Sequence, residues 1–256
     1  MTVVREVIVM GGTLILPGNV TPFGGTTYPS LTQTNSEFNI ATDPEAASIL
    51  FSLTSTTSET HPSAPRLPRR LKLTIAPLDC THLHGLLENF YKEISSPSIS
   101  QNSPLSTFLD AILNRTYRKI QSLIAKGRES EVVELHMHDP LCIYYAMLDD
   151  KSREQWVIER DADVRVECKG TWTRGMTVLD QRVRGRRPFE KKEDCERIEE
   201  SEDTADADYE GVDDDEGGWI GGTGNRVDIL WASSAVEGGN MKTVEKMAEL
   251  IWNLKD

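Results

Sequence analysis

The polar chemistry of this sequence gathers in two places. The first runs from Gly18 to Ala47: Gly18-Asn19-Val20-Thr21-Pro22, a polar spacer, Ser36-Glu37-Phe38-Asn39-Ile40, and then Asp43-Pro44-Glu45-Ala46-Ala47. Asp43 reads as a helix N-cap, with Pro44 at the first helical position. Asn19, Glu37 and Asn39 then set two amides and a carboxylate on non-helical backbone beside a helix start, a combination suited to a hydroxyl-rich ligand. The second place is His136-Met137-His138-Asp139-Pro140-Leu141. Here Asp139 before Pro140 reads as the cap of an apolar helix over residues 141–148, a contact worth about 1 kcal/mol.

The elements that must position these groups alternate between strand and helix patterns. Residues 3–10 are apolar and β-branched apart from Arg5 and Glu6, and Gly11-Gly12 ends them. That is the pattern of a buried parallel strand delivering a glycine turn at its C-terminal edge, where open α/β sheets hold ligands. A helix over 44–53 follows, then a Ser/Thr/Pro-rich loop over 54–68 and a second strand over 71–76. Pro77-Leu78-Asp79-Cys80-Thr81 leads on from that strand, with Asp79 or Thr81 as the cap of the next helix. Leu83, Leu86, Leu87, Phe90, Tyr91 and Ile94 fall on one face of a helix over 82–94. After a loop over 95–103, Ser103-Pro104 opens another helix that stops at Gly127. Residues 164–168 alternate as a strand, and Thr173-Arg174-Gly175-Met176-Thr177 reads as a hairpin or strand edge, with Trp172 and Met176 as packing residues. A strand over 226–231 and a helix over 241–254 close the chain.

Three blocks in this order resemble the inosine/uridine-preferring nucleoside hydrolases. The matching residues are the Gly-Asn-Val-Thr-Pro turn at 18–22, the Glu-Phe-Asn-Ile segment at 37–40 with its Asp-Pro-Glu-Ala-Ala helix, and His138-Asp139-Pro140. Met10-Gly11-Gly12 and Leu78-Asp79-Cys80-Thr81 also match family segments. The resemblance implies an α/β fold with a mostly parallel open sheet flanked by helices. It implies hydrolysis of the N-glycosidic bond of a ribonucleoside to ribose and a free base, through an oxocarbenium-like transition state. By the same token Asn19, Glu37 and Asn39 contact the sugar, Asp139 binds substrate and ligates Ca2+, and His138 protonates the leaving base. His136 lies outside the motif and reads as a strand or loop side chain.

The family also carries an Asp-x-Asp-x-x-x-Asp-Asp motif on its first strand, supplying most of the calcium ligands and the base that activates water. A Thr elsewhere supplies another ligand. This chain opens at the strand before Met10-Gly11-Gly12, so the expectation is a partial domain over 1–256, its N-terminal part missing. Calcium wants 6–8 oxygens; one carboxylate does not meet that need, and turnover should be impaired. A non-catalytic nucleoside- or ribose-binding relative is the alternative.

Composition bounds the rest. A chain of 256 residues with 38% hydrophobic and 27% charged residues fits a soluble globular protein with polar insertions. Between Glu190 and Glu216 there are 15 acids and 3 bases, so that segment holds nearly all of the net charge of −13. With few apolar residues it reads as a disordered part of an insertion over about 186–225, or, as a further alternative, as a surface for basic protein partners. Nucleic acid is not an expected partner, since basic residues cluster only at 182–187. Cys80, Cys142, Cys168 and Cys195 show no metal-ligand spacing and read as reduced thiols of a cytoplasmic protein. No apolar run reaches the roughly 20 residues of a membrane helix. The resemblance implies a small-molecule ribonucleoside as partner and a homo-oligomer as assembly.

Overall fold

The computed structural model describes residues 4–20, 35–55, 63, 65, 67, 69–100, 104–125, 133–179, 224–234 and 238–252. The acidic segment over 190–216 and most of the Ser/Thr/Pro run over 54–68 lie outside the described residues. In chain order the elements begin with β1 (Val7–Met10), α1 (Phe38–Thr42), α2 (Pro44–Ser52), β2 (Leu73–Ala76), α3 (Leu78–Thr81), β3 (Gly85–Leu87), α4 (Glu88–Ser100) and α5 (Pro104–Ile124). They continue with β4 (Glu134–His136), α6 (His138–Met147), α7 (Asp150–Arg153), β5 (Val157–Ala162), β6 (Val164–Val166), β7 (Thr177–Leu179), β8 (Val227–Ala232) and α8 (Gly239–Trp252).

The main sheet has the order β1-β2-β8-β5. β1 pairs with β2 and β2 with β8 in parallel, while β5 runs antiparallel to β8. This is an open, mostly parallel α/β sheet. The strands alternate their side chains between two cores, as a period of two requires. Leu230 of β8 and Ala76 of β2 face one core with Leu86, Tyr91, Tyr117, Leu141, Tyr145, Val244 and Trp252. Val227, Ile229 and Trp231 of β8, with Leu73 and Ile75 of β2, face the other, against Ile40, Phe51, Ala162 and Val164. Every residue of β8 is buried, as its central place predicts. β1 departs from its expected full burial: it is an edge strand, and its four residues are half-buried.

Three further expectations are corrected by the fold. The helix over 82–94 does not form as one piece, because Gly85–Leu87 pair antiparallel with Glu134–His136 and the helix begins only at Glu88. Leu83 is accordingly exposed. The loop over 95–103 is shortened, since α4 runs on to Ser100. Trp172 is 90% exposed and packs against nothing in the cores. The expected hairpin does form, with β6 and β7 in register Val164↔Leu179 to Val166↔Thr177.

The three parallel strands end on one edge, at Met10, Ala76 and Ala232. The described residues of both polar stretches are brought to that edge; Thr21, Pro22 and the spacer up to residue 34 lie outside the described residues.

Candidate functional site

At the end of β1 the chain turns through Gly11 and Gly12. Gly12 has φ +86°, and a Cβ there would stand 3.0 Å from the Thr177 methyl, so the turn requires glycine on both counts. The turn is locked from two sides. Thr177 Oγ1 accepts from the Thr13 N–H at 3.0 Å and donates to the Thr13 carbonyl at 2.6 Å. Glu37 Oε2 accepts from the Gly12 N–H at 3.0 Å.

Glu37 is the N-cap of α1, a short helix where the sequence suggested irregular backbone. Its Oε1 accepts from the Asn39 N–H at 2.8 Å and its Oε2 from the Ile40 N–H at 3.1 Å. The side chain is therefore buried to 1% exposure and ties the glycine turn to the start of α1. Asn19 joins the same knot, its Oδ1 accepting from the Phe38 N–H at 2.7 Å. Asn39 is exposed and donates through Nδ2 to the Met10 carbonyl at 3.1 Å, which holds it over the end of β1. Asp43 caps α2 as expected, accepting from the Ala46 N–H at 3.0 Å with Pro44 at the first helical position. Asn19, Glu37 and Asn39 are thus one cluster.

Asp79 lies inside α3 and does not act as the cap of a following helix. Its carboxylate receives the N–H groups of Leu14 at 2.8 Å, Ile15 at 2.9 Å and Leu16 at 2.9 Å. It shapes the loop that follows the glycine turn.

Across the edge stand three imidazoles. His82 follows α3, His136 ends β4, and His138 is the first residue of α6. The His82 and His136 rings stack with centroids 4.5 Å apart, while His138 lies 5.4 Å from His82 and 5.6 Å from His136. One ring nitrogen of each lies within 4.8 Å of the others, so the three could hold a metal ion. His138 Nδ1 is 2.7 Å from Thr81 Oγ1, and Thr81 is fully buried. Burial first, then the neighbouring His82 and His136, push the His138 imidazole down to about 4. Burial and His136 lower His82 as well, against the raising influence of Asp79. His136 stays a strand side chain, as expected, with Nε2 3.3 Å from Glu134 Oε1.

Asp139 is exposed in the first turn of α6 and is not its cap, because the helix already begins at His138 with Met137 at the cap position. Among the described residues no hydrogen bond links Asp139 to Asn19, Glu37 or Asn39. Nor does any group of three or more acidic or metal-ligating side chains include it; the histidine cluster is the one such group among those residues. An exposed single carboxylate does not fit a calcium ion that takes 6–8 oxygens, so these residues alone do not make a calcium site.

His82 and Thr81 are the site residues whose place the sequence did not announce. The repeated His-x-His spacing at 82–84 and 136–138 is the signal that points to them. His84, by contrast, turns into the core: it is fully buried, its Nδ1 lies 2.9 Å from the Cys80 carbonyl, and its ring stacks toward Trp156.

Residues 1–213 match the family model of the inosine-uridine preferring nucleoside hydrolases. The pyrimidine-specific ribonucleoside hydrolase RihA of Salmonella paratyphi C is 27% identical over 184 residues, covering 70% of this chain and 44% of that protein. The non-specific ribonucleoside hydrolase RihC of Klebsiella pneumoniae is 27% identical over 178 residues, covering 69% of this chain and 42% of that protein. The chain therefore spans a little under half the length of these relatives. A plant nucleoside hydrolase structure aligns with a TM-score of 0.55 at 15% identity, over 96% of this chain and 53% of the other. A purine-preferring ribonucleoside hydrolase from Gardnerella vaginalis aligns with a TM-score of 0.50 at 18% identity, over the same shares. At such identities the structures speak for the fold; the family match over most of the chain settles its membership. The chain belongs to the inosine-uridine preferring nucleoside hydrolase family.

Proposed function

We propose that this chain contributes the sugar-gripping and leaving-group side of a site that hydrolyses the N-glycosidic bond of a ribonucleoside. The observation that carries the reading is the placement of Asn39 and His138 on one sheet edge, the first anchored on the Met10 carbonyl and the second on Thr81. In this reading the exposed amides of Asn19 and Asn39 meet ribose hydroxyls. Glu37, buried with its carboxylate on three N–H groups, acts on the sugar by fixing the glycine turn and the Asn39 backbone beside those amides. Fixing the ribose by several hydrogen bonds removes much of the orientational cost of reaction.

His138 is assigned to the departing base. An imidazole held near 4 is neutral at pH 7, so it is a weak acid while the site is at rest. The negative charge that develops on the base as the glycosidic bond breaks raises its proton affinity, which is when donation through Nε2 helps. Calcium, the ion the family resemblance implies, is assigned to Asp139, and the other oxygens it requires are not gathered by the described residues. Ribose release by this chain is accordingly proposed to be slow or absent. Binding without turnover is the second reading, favoured by that same shortage of ligands.

The partner in either reading is a small-molecule ribonucleoside. A homo-oligomer is supported by the outer face of α5, where Leu105, Phe108 and Ile112 are exposed. No helix among the described residues is long and apolar enough to cross a membrane. A cytoplasmic setting is proposed on the thiols, since Cys80, Cys142 and Cys168 are free.

Calorimetry with inosine and uridine, beside an assay for released ribose, tests the proposal. Binding that Asn39→Ala weakens about tenfold, the loss of one good polar contact at about 1.4 kcal/mol, is expected. No heat with any nucleoside would overturn both readings, while binding without ribose release would select the second.

A further inference from the structure

We propose that His82, His136 and His138 form a three-imidazole site for a divalent transition metal of the zinc class. His136 and His138 flank Met137 at the junction of β4 and α6, and His82 is brought to them from the end of α3, so that one ring nitrogen of each lies within 4.8 Å of the other two. Nothing in the sugar-binding reading requires His82 or His136 to be there.

The arrangement has the features of a ligand set as well as the ligands. Histidines that bind metals are commonly oriented by a hydrogen bond at their other nitrogen. His138 has such a partner in Thr81, whose Oγ1 is 2.7 Å from Nδ1, leaving Nε2 for an ion. His136 has a carboxylate neighbour instead, Glu134 Oε1 at 3.3 Å from Nε2, which leaves Nδ1 on the other side of the ring. The Glu134 carboxylate has room there because Gly85, which pairs with His136 on β3, carries no side chain; a Cβ at Gly85 would collide with it. His82 is exposed as a residue although its ring stacks on His136, and no hydrogen bond among the described residues holds its ring nitrogens.

The chemistry of the donors selects the ion. Three neutral imidazoles suit zinc, copper or nickel, whereas calcium and magnesium take oxygens. At zinc–nitrogen distances of about 2.0–2.1 Å the nitrogens of a tetrahedral site stand roughly 3.3 Å apart. Closing from at most 4.8 Å therefore asks for a movement of about 1.5 Å or less, within reach of side-chain rotation at His82. The inference does not rest on the proposed hydrolysis; it shares His138 with it, so an ion on Nε2 and proton donation through Nε2 exclude each other.

The test is binding by the full chain in the absence of nucleoside. Equilibrium dialysis with Zn2+, and Co2+ absorption as a spectroscopic probe, should give one tight site per chain. His82→Ala and His136→Ala should each weaken it at least tenfold, Glu134→Gln should weaken it about tenfold, and millimolar Ca2+ should leave the Co2+ spectrum unchanged. Because His82 is exposed, its variant should keep the far-UV circular dichroism of the parent. Imidazole nitrogen shifts in NMR on adding Zn2+ should fall on residues 82, 136 and 138. Failure to retain Zn2+, retention unchanged in the His82→Ala/His136→Ala double variant, or displacement of Co2+ by Ca2+ would each overturn the proposal.

Discussion

The two halves of the sheet edge use their polar groups in opposite ways. On the β1 side, Glu37 and Asp79 are buried and each gathers three backbone N–H groups. On the β4–α6 side, three imidazoles crowd together with a nitrogen or more of each left for something else. Neighbouring loops and element ends thus carry carboxylates that build loops and histidines that are only half engaged. Buried carboxylates tolerate this role because several charge-assisted hydrogen bonds offset the loss of water. A polar residue at a site edge is therefore not a ligand contact by virtue of position; its hydrogen bonds decide.

Removing Glu37 tests that contrast most severely. Glu37→Ala leaves the Gly12, Asn39 and Ile40 N–H groups without their acceptor, and should cost about 3–4 kcal/mol of stability, read as a lowered urea midpoint. Since Asn39 is placed by this cap, nucleoside binding should fall with it. A stable Glu37→Ala variant would break the comparison, because it would make the carboxylate dispensable to the loops. Asp79→Asn keeps the shape but replaces one acceptor oxygen by a donor facing N–H groups, so a loss of about 2 kcal/mol is expected. Hydrogen exchange should accelerate chiefly in the loop at 14–16, and Zn2+ binding at the histidines should weaken only slightly, through the lost negative charge near His82.

How much of this was legible beforehand follows from which interactions are local. Asp43-Pro44 could be read at once, because an N-cap and a proline at the first helical position act within four residues. β8 was legible from its run of apolar residues, as was the hairpin around Gly175. Glu37 was not read as a cap, since Ser, Thr, Asp and Asn are the usual side chains there. Its role also depends on Gly12, 25 residues away. The helical spacing over 82–94 was genuine, but Gly85–Leu87 found a partner strand nearly 50 residues later, and pairing overrode periodicity. β5 was missed altogether: its apolar start at Val157-Ile158 runs into Glu159-Arg160-Asp161. Its pairing with β8 also shifts register, near a residue of positive φ, Asp161. The histidine cluster needed all of these at once, because β3–β4 pairing is what sets His136 beside His82.

A third carboxylate sharpens the comparison from the opposite end of β1. Glu6 is held not by backbone but by cations: Arg153 Nη1 at 2.7 Å and Lys72 Nζ at 3.2 Å, with the Thr74 hydroxyl donating at 3.0 Å. Burial alone would raise its carboxyl, but the Arg153 hydrogen bond, Lys72 and Thr74 outweigh it and hold it below the usual carboxylate range. A lowered folded value means that the unfolded chain binds more protons in that acid range, so stability rises with pH through it. Glu6 therefore contributes fully above the ordinary carboxylate range, and the contribution is lost as the pH falls through and below it. Glu6→Gln should cost about 1–2 kcal/mol at pH 7 and much less in acid, the difference being read from urea midpoints at both pH values. An equal cost at both would show that charge is irrelevant there.

The smallest effect belongs to Asp43, where a carboxylate serves backbone as Glu37 does, but in the open. Its bond to the Ala46 N–H is exposed, so water can replace it when the side chain is cut back. Asp43→Ala should cost about 1 kcal/mol, the ordinary worth of an N-cap, and Asp43→Ser should restore most of it. The difference between the Glu37 and Asp43 losses then measures burial together with the extra N–H groups that Glu37 holds, because both side chains cap a helix start but Asp43 accepts from one N–H and Glu37 from three. If the two losses are alike, the hold of Glu37 on Gly12 contributes little, and the β1 side of the edge is organised by α1 alone.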